Sequence, residues 1–198
     1  MISRIMRMGA PFTAMALLAG CVSFGAKPPE QLIALTAESA APAGAIGTGS
    51  LAEALVVLDP DTDRRLDVQR VPVKVDDATI AYLKEAVWVE RPARQFRRLL
   101  AETIRARSNR LVLESSDSET GGRITLSGRL LDMGYDARTQ SVVVRFDAMR
   151  RDKTGQFVAQ RFASTVAGVK PDAKAVAPAL NQAANDVARQ VSDWVAGA

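Results

Sequence analysis

Three consecutive stretches in the C-terminal half alternate apolar and polar residues with a period of two, and no other pattern restricts the fold as strongly. Arg123 to Asp132 puts Ile124, Leu126, Gly128 and Leu130 on one face and Thr125, Ser127 and Arg129 on the other. Ser141 to Arg151 repeats this with Val142, Val144, Phe146 and Ala148 against Arg145 and Asp147. Gln156 to Val166 is the third stretch, with Phe162 as its bulkiest anchor, and Asp152-Lys153-Thr154-Gly155 before it is a tight-turn signal. Side chains of a strand point alternately to opposite faces, so these stretches predict an antiparallel meander with one dry and one wet face. The dry face needs a cover.

Two segments have the period of a helix and can supply it. One starts near Pro92, where a missing N–H costs nothing, and lines up Phe96, Leu99, Leu100 and Ile104. Its other face carries Arg94, Arg97, Arg98, Arg105 and Arg107, and Ser108-Asn109 ends it before a new strand at Leu111-Val112-Leu113. The other helix is predicted from about Ala177 to Val195, with Leu180, Ala184, Val187, Val191 and Trp194 as its stripe; Pro178 suggests that the helix proper begins there.

The first half of the chain is less regular. Gln31 to Thr36 reads as a first strand, residues 37–50 as a flexible Ala/Gly/Pro/Ser loop, and Ala54 to Leu58 as a buried strand stopped by Asp59-Pro60. Leu66 to Val75 places Val71, Val73 and Val75 on one face and Lys74 on the other; Pro72, lacking an N–H, restricts pairing there to one side. Thr79 to Leu83 and Ala86 to Val89 are extended candidates, with a helical turn over Tyr82 to Ala86 equally open. The order strands, helix, strands, helix predicts an α+β fold: two layers, a mainly antiparallel sheet with two principal helices on one face.

Ahead of this lies a leader. Arg4 and Arg7 precede the apolar run Ala14-Met15-Ala16-Leu17-Leu18, and small residues Ala19 and Gly20 lead to Cys21, the single cysteine. A charged, then apolar, then small-residue order is that of a secretory signal peptide. We therefore divide the chain into a cleaved signal peptide (1–20), a lipidated tether (21–30, with Gly25, Lys27, Pro28 and Pro29) and one domain (31–198). Leu18-Ala19-Gly20-Cys21 resembles the lipobox of bacterial lipoproteins, which implies covalent diacylglycerol and acyl (palmitate) groups on Cys21 as the membrane anchor. Val22 in place of an aspartate leans towards the outer membrane, facing the periplasm, over the inner one.

Composition narrows the chemistry. Hydrophobic residues are 47% and charged residues 24% of the chain, enough for a core. Of 26 basic residues two lie in the leader, leaving 24 against 22 acidic ones, a balance that does not argue for nucleic acid. With no histidine and one cysteine there is no internal disulfide, zinc finger or imidazole. Asp59, Asp61 and Asp63 alternate as at the start of an EF-hand loop, but its glycine and distal glutamate are missing, which favours a solvated turn. Gly47-Thr48-Gly49 and Thr120-Gly121-Gly122-Arg123 open no helix and cradle no phosphate. Ser39, Ser115 and Ser164 have no histidine to activate them, and none has Ser-x-x-Lys spacing. These features predict no enzyme, no catalytic residue, no metal and no cofactor.

Two partner-binding features remain. Arg94, Arg97 and Arg98 could grip lipid phosphate or an acidic segment, against a solvated face relieved by Glu102 and nearby acids. Trp88 could anchor an interface, against a half-buried position at the mouth of the core.

Leu66-Asp67 followed by Gln69-Arg70-Val71-Pro72-Val73, then Tyr82 with Trp88-Val89-Glu90-Arg91-Pro92 leading into the arginine-bearing helix, and Gln160-Arg161-Phe162 followed by a helix ending in Trp194, together resemble the ABC-type transport auxiliary lipoproteins. The family includes the paraquat-inducible lipoprotein and serves mammalian-cell-entry (MCE) type lipid transport systems. The resemblance implies a non-catalytic, lipid-anchored docking component whose partners are an MCE-domain protein and ABC transporter subunits, with self-association also compatible. Two other roles fit the residues: a lipoprotein that carries a small amphiphile itself, and a regulator of a cell-wall synthesis enzyme. Short strands without a large inward apolar run favour protein docking over an enclosed lipid pocket.

Overall fold

The computed structural model describes residues 31–115 and 123–197. The elements in chain order are β1 (Leu55–Leu58), β2 (Asp61–Thr62), β3 (Arg70–Lys74), β4 (Ile80–Val87), α1 (Pro92–Arg107), β5 (Val112–Ser115), β6 (Ile124–Asp136), β7 (Ser141–Arg151), β8 (Phe157–Ala167) and α2 (Ala173–Ala196). The fold is α+β, with eight strands in one sheet and both helices on one face of it.

The 13-residue strand β6 is the axis of the sheet. Along one edge it pairs antiparallel with β7, which pairs in turn with β8, forming the meander expected from the alternation. Its other edge is shared end to end by three short strands: β1 beside Ile124 to Leu126, β2 beside Arg129 and Leu130, and β3 beside Tyr135 and Asp136. All three run parallel to β6, and β5 runs parallel to β1. The long ladders are antiparallel as predicted, but the sheet is mixed. Helix α1 lies between β1 and β5 in sequence, and a crossover of that kind returns the chain parallel to where it left.

Local irregularities explain how three fragments make one edge. The β6–β7 register slips between Leu130 and Asp132, and the carbonyl of Leu131, the residue skipped, accepts a hydrogen bond from the Arg65 guanidinium. Arg65 also donates to Asp63 and Asp132 at 2.9 Å each, filling the gap where residues 63–69 loop out between β2 and β3. Burial pulls the Arg65 pKa down, but the hydrogen bond to Asp63 and the charge of Asp132 outweigh it, leaving the guanidinium more firmly protonated than usual. Gly134 lets β3 approach: a Cβ there would stand 2.4 Å from the Pro72 carbonyl oxygen and 2.9 Å from the Pro72 ring. Pro72 itself pairs with Tyr82 of β4, while pairing with β6 starts at Val73, the one-sided arrangement its missing N–H demands.

Several boundaries differ from the sequence reading. Residues 31–36 make a single bridge, Ile33 beside Trp88, instead of a strand. The two extended candidates at 79–89 are one strand, β4, in which Glu85 takes a positive φ of 57° and a bulge absorbs the extra residues between Tyr82 and Val87. Leu66 and Val75 lie outside β3; Leu66 is nevertheless fully buried. Helix α2 starts at Ala173, because Asp172 caps it by accepting from the Ala175 N–H, so Pro178 sits within the helix. Its missing N–H falls only in the second turn.

The core lies between sheet and helices. Leu126, Leu130, Met133, Val142, Val144, Phe146 and Ala148 face Phe96, Leu99, Leu100 and Ile104 of α1 and Leu180, Val187 and Val191 of α2. Phe96 meets Phe146 edge to face with ring centroids 5.2 Å apart, and Trp194 tilts against Phe162 at 5.6 Å. Among the described residues, the opposite face of the sheet carries no helix.

Candidate functional site

Helix α1 positions the arginines that the sequence singled out, and the fold gives each of them an internal carboxylate. Arg94 and Arg98 converge on Glu90, which lies just before the helix. The hydrogen bond from Arg94, with Arg98 adding to it, holds the Glu90 carboxyl below its ordinary range against the opposing effect of desolvation. Arg97, only 15% exposed, lies 3.0 Å from Asp59 and 3.4 Å from Glu114. Arg105 spans Glu102 and Glu114, and Arg107 reaches Asp193 on α2. Arg97 is thus a cross-element tie within the domain, whereas Arg94 and Arg98 remain more than half exposed and accessible.

Trp88 is fully buried in the core cluster, with its indole N–H unpartnered. This corrects its reading as an interface anchor. The ring is turned into the core shared by the sheet and the helices, so it offers a partner no surface.

The aspartates at 59, 61 and 63 do not converge on one point: Asp59 faces Arg97, Asp63 faces Arg65, and Asp61 is exposed in β2. No group of metal-ligating side chains occurs among the described residues. Ser164 donates to Asp186 at 3.1 Å, an ordinary strand-to-helix tie. Cys21, the leader and residues 116–122 lie outside the described residues.

A feature the sequence did not disclose is a strap. Residues 33–41 pass over the two helices with a bend at Glu38 and Ser39, held by side chains that act in place of a partner strand. The Ile33 N–H donates to the Val87 carbonyl (2.8 Å), and the Val89 N–H donates to that of Ile33 (2.9 Å). Further along, Gln95 Oε1 accepts from the Leu35 N–H, Asn181 Oδ1 from that of Thr36, Asn185 Oδ1 from that of Glu38 and Glu102 Oε1 from that of Ala41, at 2.8–2.9 Å. Asn185 Nδ2 also donates to the Thr36 carbonyl at 2.9 Å. Gln95 and Asn185 are among the few buried polar side chains of the domain, and this is their use. The strap begins twelve residues after Cys21, at the corner where β4 passes into α1.

The bare sheet face carries two open grooves. One, about 430 Å³, lies over β3 and the C-terminal part of β6 and is lined by Arg65, Lys74, Asp132 and Arg145 among others. The other, about 410 Å³, is more apolar and includes Leu58, Gly128, Met149 and Ala159. Cross-strand ion pairs stripe this face: Arg161 with Asp147 across β8 and β7, then Arg145 with Asp132 across β7 and β6. Both grooves are open to solvent, shapes suited to contact with another surface.

Among solved structures, the chain is similar to protein XCC0632 from Xanthomonas campestris, at 16% identity with a TM-score of 0.68 over 83% of this chain and 94% of that one. A further uncharacterised protein matches at 14% identity and a TM-score of 0.62, over 72% and 92% of the two chains. The PelC dodecamer of Paraburkholderia phytofirmans is more distant, at 14% identity and a TM-score of 0.42, over 72% of this chain and 87% of that one. No curated protein matches. The first two likenesses establish the fold, and a sequence model takes the conclusion further: the ABC-type transport auxiliary lipoprotein component matches residues 34–192, from the strap to the last turns of α2, and the chain belongs to that family.

Proposed function

We propose that this chain is a lipid-anchored, non-catalytic docking component of an ABC/MCE-type envelope lipid transport system, held at the outer membrane by diacylglycerol and acyl groups on Cys21. The observation that carries this reading is the position of the strap. The family match begins at residue 34, where the chain locks into the helix groove, thirteen residues after a cysteine at the end of a signal-like leader. An anchor at Cys21 is therefore tied mechanically to the folded domain through the side-chain bonds along 33–41. Acyl burial contributes about 0.8 kcal/mol per methylene, so more than one chain gives lasting attachment.

The described surface supports docking in a further way. Its charged groups are largely engaged with one another, and its concave features are open grooves on a rigid sheet.

Crosslinking in intact cells tests the proposal. It should capture an MCE-domain protein or a transporter subunit, and Cys21→Ser should release the protein from membranes while leaving its circular dichroism unchanged. Capture of a cell-wall synthase instead, or retention of the serine variant on membranes after a high-salt wash, overturns it.

A further inference from the structure

The proposed anchor also fixes which part of the domain lies nearest the bilayer. The chain leaves the domain at Gln31, and the ten residues back to Cys21 span at most about 35 Å when fully extended. The corner around Leu32 is thus the part of the surface held closest to the headgroups.

That corner has a composition suited to a membrane interface. Leu32 and Val89 are exposed at 53% and 48%, and they are neighbours because Val89 hydrogen-bonds to Ile33. Beside them stand three exposed guanidiniums, Arg91, Arg94 and Arg98, against two carboxylates, Asp67 and Glu90. Exposed aliphatic side chains flanked by basic ones bind the boundary between acyl chains and anionic headgroups. The Arg91–Asp67 pair is solvent-exposed and weak, and Arg94 and Arg98 share the single carboxylate of Glu90, so phosphate oxygens can compete for these guanidiniums.

We propose that Leu32 and Val89, with Arg91, Arg94 and Arg98, form a second membrane contact that seats the domain on anionic phospholipid and fixes its orientation. The proposal rests on acylation of Cys21, which supplies the nearness. Because the tether holds the corner at high local concentration, each contact can be weak and still keep the domain seated. Phe157, at the start of β8, lies across the sheet from this corner, with β3, β6 and β7 between β8 and β4, and is the site held off the lipid.

The test uses the full acylated chain, in which Cys21 carries no free thiol, so an introduced cysteine takes a polarity-sensitive fluorophore alone. Val89→Cys and, as a second site, Leu32→Cys are compared with Phe157→Cys on vesicles of phosphatidylethanolamine with phosphatidylglycerol. Labels at 89 and 32 should shift to the blue while that at 157 does not. The shift should weaken in high salt and when Arg91, Arg94 and Arg98 are replaced by glutamine. Labels at 89 and 32 that remain aqueous while the protein floats with the vesicles overturn the proposal. So does a shift that appears only when a partner protein is added.

If intact mass shows a free thiol at Cys21, the anchor reading fails on its own. The Cys21→Ser chain titrated with the same vesicles then decides the surface. Binding that falls by up to about fivefold for each arginine removed supports it; absence of binding overturns it.

Discussion

Removal of the Asn185 side chain tests whether the strap is held as the geometry indicates. Asn185→Ala deletes two hydrogen bonds to strap backbone, from the Glu38 N–H at 2.8 Å and to the Thr36 carbonyl at 2.9 Å. A net hydrogen bond is worth about 1 kcal/mol, so the closed strap loses about 2 kcal/mol, or roughly thirtyfold in its opening equilibrium. The loss is local because β6 and β7 contact the strap through no bond of Asn185. Amide hydrogen exchange followed by mass spectrometry should show faster exchange in peptides covering 33–41, with peptides of β6 and β7 little changed. Asn181→Ala removes one strap bond and should give about fivefold by the same reasoning. Equal acceleration across strap and sheet would mean that the strap unfolds only with the whole domain. No acceleration would mean that the side-chain clamp contributes nothing, and either result refutes the argument.

Gly134→Ala should cost on the order of 2–3 kcal/mol, read as a lower urea midpoint, because its Cβ would overlap the Pro72 carbonyl and force β3 off β6; an unchanged midpoint would show that β3 can move freely. Phe96→Ala should cost about 3–5 kcal/mol, since the ring is fully buried against Phe146, and a loss under 1 kcal/mol measured by denaturant titration would place the core elsewhere. The carboxyls of Glu90 and Asp147 are held low by hydrogen bonds from Arg94 and Arg161 respectively. A lowered folded-state pKa gives stability that is fully present above the ordinary carboxyl range and lost as pH falls through the folded value, so the urea midpoint should be flat above about pH 5 and decline below about pH 4. A midpoint that rises on acidification contradicts those pairings.

How much of this fold could be read beforehand depends on where each signal resides. The meander, α1 and the stripe of α2 are periodic patterns within single segments, and burial of Phe146, Phe162 and Leu180 follows the alternation and spacing in the sequence. The composite edge of β1, β2 and β3 is a different matter. Its parallel pairing with β6 depends on residues nearly 70 positions apart, and β2 is only two residues long, too short to have any period. Pro72 carried half of the information, predicting one-sided pairing, while its counterpart Gly134 could be recognised only with both strands in place. At the start of α2, the sequence reading took Pro178 as the beginning of the helix proper; in the structure the Asp172 cap fixes the first turn and the proline is accommodated after it.

The surface was less legible than the core, for a reason that the arginines illustrate. A row of guanidiniums on one helix face looks the same in sequence whether it awaits a ligand or is already satisfied. Arg97 is satisfied by Asp59 and Glu114, which come from a loop before the helix and a strand after it. Trp88 misled in the opposite sense, since a large amphipathic ring beside a charged helix suggests an interface while its backbone context turns it inward. The strap was missed because its signal lies in its hosts. Leu35 to Ala41 is small and featureless, and its conformation is set by Gln95, Asn181, Asn185 and Glu102, polar residues on two helices whose spacing looks unremarkable until the helices lie side by side. Gln95 and Asn185 did carry one usable sign: each is an amide set in a mainly apolar buried stripe. A buried amide must be paired, and extended backbone, with its alternating donors and acceptors, is a partner that small featureless residues can supply. For a domain tethered through the segment just ahead of that backbone, the same two amides decide whether a pull on the anchor reaches the helices or is taken up by a loosened strap.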